Sequence, residues 1–139
     1  MPYIYAAKIV CGTSDGKVVA PGEYWTAVNV RNPNDRAIAL KKRIVVALPG
    51  EKPGPMSELI GAELGPDQAL EIDRDDIMEH AKKLEVDKFL KGFVVVYCAR
   101  ELDVVAVYTV MSKERYVSFH TERVPMRKIL TMRTYLTHK

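Results

Sequence analysis

The chain has 139 residues, of which 47% are hydrophobic and 28% charged, with a net charge of +3. That length fits one domain able to bury roughly two thirds of the surface its unfolded form exposes, so its stability requires neither disulfides nor a metal. No apolar run approaches the roughly 18 residues that cross a bilayer as a helix, and so small a charge does not by itself indicate a nucleic-acid partner.

The opening residues 1–11 lack a basic n-region and a small-residue cleavage site, and read as a first strand over 3–11 rather than a signal peptide. The cytoplasm is therefore the expected compartment; a removed leader or a Cys11–Cys98 bridge would place the protein outside it. A turn cluster follows at 12–16, then a short extended piece at 18–20 stopped by Pro21-Gly22. Residues 23–30 alternate Tyr24, Thr26, Val28 and Val30 against Trp25, Ala27 and Asn29, the period of a strand, and break at Asn32-Pro33-Asn34-Asp35. Residues 37–48 read as a strand or a bulged strand, because Lys41, Lys42 and Arg43 in succession cannot all face a core. The proline-rich stretch 49–55 reads as the longest irregular segment, followed by short strands over 56–64 and 69–72.

Residues 73–84 form the one convincing helix. Asp73 can cap it, Asp75, Asp76 and Glu79 sit near its positive end, Lys82 and Lys83 near its negative end, and Ile77, Ala81 and Leu84 line one side. Residues 93–111 then read as two strands joined at Arg100-Glu101 and apolar on both faces. Phe93, Val95 and Tyr97 point one way while Val94, Val96 and Cys98 point the other, so a helix, the chain terminus or a second copy must cover the second face. A helix of about three turns cannot obviously cover two full strands, so the outer face of this hairpin is the expected homo-oligomer contact, with Val94, Val96, Val105 and Val107 in it. A further strand over 116–124 sets Tyr116, Ser118, His120 and Glu122 against Val117, Phe119 and Thr121.

The chain closes with a basic tail. Residues 123–139 carry five cations and no acid, against 16 basic and 18 acidic side chains before them. Ile129 and Leu136 are among the apolar side chains that should dock this tail on its own or a neighbouring subunit. The organisation expected is a sandwich domain over 1–125 and an amphipathic tail over 126–139. Short strands at turn-signalled intervals with one inserted helix argue for an all-β fold, an antiparallel sandwich or flattened barrel of about eight strands.

Tests for chemistry come out negative. Cys11, Trp25 and Cys98 have the order of an immunoglobulin-type core, but position 96 is Val where that family needs Tyr. Counted from Asp73, a calcium loop would need Gly where Met78 stands and Glu where Leu84 stands, so the acids of 71–79 read as helix capping, with no metal. Neither a Gly-x-Ser-x-Gly elbow nor a phosphate-binding glycine loop occurs, and no cofactor is indicated. The basic tail has Tyr135 as its one aromatic residue, which argues against nucleic acid.

Several phrases resemble a family of small, functionally uncharacterised bacterial proteins: Thr26-Ala27-Val28-Asn29-Val30 with Asn32-Pro33, Leu64-Gly65-Pro66-Asp67, Glu71-Ile72-Asp73, Lys91-Gly92-Phe93, the run 102–109, and Glu122-Arg123-Val124-Pro125. More distantly, residues 23–110 resemble the soluble sensory rhodopsin transducers through Asn29, the apolar strand 93–97 and Leu102-Asp103. That resemblance implies a tetrameric β-sandwich. The N-terminal Trp segment of the transducers is absent, since Trp25 lies in a different strand, and a rhodopsin partner does not carry over. The expected function is a non-enzymatic, self-associating module that pairs with itself and with another protein. The alternatives are a sandwich binding a small ligand such as a carbohydrate through Trp25, Asn32 and Asn34, and a hydrolase whose site assembles in space beside His120.

Overall fold

The structure, a computed structural model, describes residues 2–86 and 88–129. Its elements are β1 (Tyr3–Ser14), β2 (Gly22–Arg31), β3 (Ile38–Leu48), β4 (Lys52–Met56), β5 (Ile60–Leu64), β6 (Ala69–Ile72), α1 (Arg74–Lys83), β7 (Phe89–Cys98), β8 (Asp103–Met111), β9 (Val117–Arg123) and β10 (Met126–Lys128). The all-β class with one short helix is observed, and no helix among the described residues is long and apolar enough to cross a membrane.

All ten strands belong to one antiparallel sheet in the order β4-β3-β7-β1-β2-β8-β9, with β5 on β3, β6 on β2 and β10 on β1. β1 is the spine. It pairs with β7 from Tyr3 to Gly12, but with β2 only at Gly12, Thr13 and Ser14. At that joint the sheet bends over on itself. Gly12 has φ +110°, and a Cβ there would lie 2.0 Å from the Lys88 carbonyl oxygen, so glycine is the residue the corner requires.

Side chains hold the two arms together where backbone pairing stops. The Thr26 hydroxyl accepts from Val10 N–H and donates to Val10 C=O, both at 2.9 Å, in place of a strand partner. Tyr108 donates to the Lys8 carbonyl at 2.7 Å, and Tyr5 accepts from Leu102 N–H at 2.8 Å. Between the arms, Tyr5, Ala7, Ile9, Ile44, Val94 and Val96 meet Val28, Val30, Val104 and Ala106 in a single core. Each such Val contributes about 1.5–3 kcal/mol by burial.

The helix plugs this core as its pattern predicts, with Ile77 and Ala81 fully buried. Asp73 caps it, accepting from Asp76 N–H at 3.0 Å while the Asp76 carboxylate accepts from Asp73 N–H, a reciprocal capping box. The acids of this segment are therefore accounted for by the helix start.

Four expectations are corrected. The strands over 93–111 are not a hairpin: β7 pairs with β1 and β3, while β8 pairs with β2 and β9, so the Arg100-Glu101 turn carries the chain from one arm to the other. Residues 18–20 form no strand. The proline-rich stretch contains β4, because an edge strand tolerates Pro53 and Pro55, and Gly54 fits where a Cβ would meet the Val46 carbonyl oxygen at 2.3 Å. Finally, 56–64 splits into the end of β4 and β5, with Ser57 bonding both N–H and C=O of Ile44 between them.

The cysteines lie at opposite ends of the β1–β7 ladder, Cys11 facing Leu90 and Cys98 facing Tyr3. At the strand rise that is a separation of about 26 Å, against the roughly 7 Å limit for a disulfide. Both are buried free thiols, and an immunoglobulin-type bridge is excluded.

Candidate functional site

The outer face of β2–β8–β9 is an apolar surface that stays largely uncovered among the described residues. Cross-strand rows run Glu23, Met111, Val117; then Trp25, Thr109, Phe119; then Ala27, Val107, Thr121; then Asn29, Val105, Arg123. The rows alternate in phase because strand side chains repeat every two residues, so one pleat surface gathers them all. Val105 and Val107 are half-buried, while Val117 and Phe119 on β9 are 69% and 67% exposed. All seven residues of β9 are exposed, and the strand ends the sheet path with no further partner among the described residues.

Charges frame this face at both ends. Arg74 lies over the Trp25 ring at 4.8 Å and meets Glu23 at 3.5 Å. At the other end Arg31 bonds Asp67 and, at 2.7 Å, Asp103, which also meets Arg123 at 3.4 Å. An apolar centre with a charged rim is the anatomy of a protein interface.

The residues expected in the contact divide. Val105 and Val107 lie on this face. Val94 and Val96 do not: both are fully buried between the arms, because the inner row of β7 forms the core and Phe93, Val95 and Tyr97 form the outer row. Ile129 packs with Ile4, Tyr97, Val95 and Leu59 on the opposite face of the molecule, and Leu136 lies outside the described residues. Residues 126–128 pair with β1, so the start of the tail is a strand of its own subunit's sheet.

The loop residues expected to bind a ligand have structural tasks. Asn32 is fully buried; its amide donates to the carbonyls of Arg36, Leu64 and Gly65 and accepts from Asn34. Asn34 also donates to the Glu101 carbonyl, tying this loop to the turn between the arms. The Asn32 amide and the Asn34 amino group are thus taken up within the loop, and the Trp25 ring already carries a guanidinium.

A cavity of about 390 Å³ lies between the β8–β9 ribbon and β1, and Trp25 is part of its lining. Lys8, Val10, Tyr24, Tyr108, Val110 and His120 are among its lining residues. Tyr108 stacks on His120 at 6.1 Å, and His120 Nε2 lies 3.9 Å from Glu122. Burial, and then the Glu122 charge, raises the Tyr108 hydroxyl's pKa, while burial and then Lys91 lower that of Lys8. Ser118 and Glu122 share this strand with His120, but among the described residues no hydrogen bond joins Ser118 to the imidazole. Burial pushes the Cys98 thiol up to about 12 and raises that of Cys11, leaving both protonated at neutral pH.

Sequence reasoning placed Val117, Phe119 and Thr121 on one side of their strand without assigning them a role. The signal was the apolar half of an alternating strand.

No family model and no curated protein matches the chain. The crystal structure of Thermotoga maritima 1070 is similar, with a TM-score of 0.58 at 12% identity over 91% of this chain and 95% of that one. At that identity the likeness concerns the fold alone.

Proposed function

We propose that the protein is a non-enzymatic assembly module that associates with copies of itself through the outer face of β2–β8–β9. The observation that carries this reading is β9: a seven-residue edge strand with every residue exposed, presenting Val117 and Phe119 opposite Met111 and Thr109 on the face that also carries half-buried Val105 and Val107. Monomeric proteins blunt such edges with charge, proline or a covering loop, whereas the rows ending on Val117 and Phe119 run to the edge uncovered among the described residues. The charged groups at its ends would set register, and the resemblance to tetrameric transducers points the same way. Buried, protonated thiols are consistent with a role that is not nucleophilic catalysis. Light scattering across a wide dilution series tests the reading. The wild type should be oligomeric at micromolar concentration and Val105→Lys monomeric; a wild-type monomer there would overturn it.

A second reading rests on the 390 Å³ cavity, whose size and aromatic walls suit a small ligand. It includes Trp25, one of the residues expected to bind a ligand, and leaves out Asn32 and Asn34. Its test is a ligand-dependent rise in melting temperature that Tyr108→Ala removes.

A further inference from the structure

We propose that the opposite face of the molecule, the outer surface of β3–β7–β1, is a docking surface for an acidic segment of a partner protein. This goes beyond self-association and uses different residues.

The register lays the surface out. Val45, Phe93 and Lys8 form one row; Arg43, Val95 and Ala6 the next; Lys41, Tyr97, Ile4 and then Arg127 of β10 the third; Lys91 and Val10 lie beyond the first row. Five of these positions are cationic and none is acidic. Among the described residues none of the five makes an ion pair. Acids approach this surface at its margins, Glu63 beside Ala39 and Glu122 in the cavity that Lys8 also lines.

Arg43 is the informative residue. It is 8% exposed, yet among the described residues its guanidinium meets the Met56 sulfur at 3.8 Å and the Tyr97 ring at 6.0 Å, and its Nε has no hydrogen-bond partner. Buried polar groups are normally satisfied and buried charges paired, so a guanidinium in this state is built for an acceptor that arrives. Lys8 and Lys91 also repel one another across the face, a cost that an approaching carboxylate would relieve.

The apolar part narrows the occupant. A groove of about 500 Å³ runs between β7 and β10, walled by Ile4, Val95, Met126 and Ile129 with Arg127 at its rim, and Phe93 is 38% exposed nearby. An apolar side chain flanked by carboxylates fills the groove and meets the cations together. A nucleic-acid strand would use the cations but leave the groove empty, and the exposed ring already carries the Lys8 ammonium at 5.1 Å. The chain's own tail has the wrong sign, since residues 123–139 carry no acid.

The test is fluorescence anisotropy with the full chain and four labelled probes: a twelve-residue peptide of leucines flanked by glutamates, an all-glutamate peptide of equal length, a twelve-nucleotide DNA strand, and vesicles rich in phosphatidylserine. The mixed peptide should bind saturably, more tightly than the other three, and lose affinity with salt. Lys91→Glu and Arg43→Gln should each weaken it at least about tenfold. If Arg43→Gln fails to fold, Lys8→Glu at an exposed position replaces it. Binding untouched by these substitutions, no binding at millimolar peptide, or preference for DNA or vesicles would overturn the proposal. So would binding that appears only after deletion of residues 130–139, or a Lys91→Glu variant whose only change is its oligomeric state; those results would assign the face to the tail or to a second copy.

Discussion

The two outer faces of this sheet start from the same kind of strand and end differently. β7 and β8 are both apolar on both sides, and both contribute an inner row to one core. On β7 the outer row is partly covered from within the chain: Tyr97 is 1% exposed beneath Leu59, Ile129 and Arg43, and the rest is ringed by cations. On β8 the outer row lies between β2 and the exposed β9 with nothing over it among the described residues, and its cations sit at the ends. The difference teaches that an apolar strand face calls for a cover and that the charges around it differ between the two faces; on the proposed readings an uncharged centre suits a second copy and a cationic face an acidic partner.

The largest effect should separate core from face. Val94→Lys puts an unpaired charge where exposure is zero, which exceeds the margin of about 5–15 kcal/mol available to a domain, and should abolish folding. Val105→Lys, one face further out, should leave the monomer's stability within about 0.5 kcal/mol while dissolving the oligomer. Circular dichroism and chemical denaturation decide both. If the two variants are equally soluble and folded, the assignment of inner and outer rows is wrong.

The joint between the arms can be loosened next. Thr26→Val keeps shape but removes both hydrogen bonds to Val10, leaving a buried N–H and C=O unmatched, and should cost about 1–3 kcal/mol in urea unfolding. Asp73→Ala removes the helix cap and should cost about 0.5–2 kcal/mol without altering either face.

The titrations give the smallest effects. The Cys98 thiol is raised from its ordinary 9.0 to about 12 by burial, so above pH 9 the unfolded chain loses a proton that the folded chain keeps. Its contribution is fully present below pH 9 and lost as pH rises toward 12; Cys98→Ala should flatten that decline. His80 is shifted the other way, lowered from 6.5 by burial and by Lys83 and Lys42. The unfolded state then binds the proton first, so stability falls as pH drops below about 6.5, and His80→Gln should remove that slope.

The local elements were legible in the sequence. Alternation fixed β2 and β9, and Asp73 with the Ile77–Ala81 stripe fixed the helix nearly to the residue. What misled was pairing, because period two says which side chains share a face and nothing about which strand lies alongside. The 93–111 segment looked like a hairpin from its short Arg100-Glu101 turn, yet Tyr5 and Asn34 anchor that turn as a crossing between arms. For the same reason Val94 and Val96 were assigned to an outer face. Asn32 was misread because a loop asparagine looks alike whether it meets a ligand or three carbonyls of its own chain.

Amide hydrogen exchange followed across dilution tests the central claim most directly, because it reads the self-association face strand by strand. The account predicts that the amides of β9, residues 117–123, that β8 does not bond are protected in concentrated solution and lose protection on dilution, while those of β3 and β7 do not change. Protection of β9 that is independent of concentration, or a dilution effect confined to β3 and β7, would contradict it.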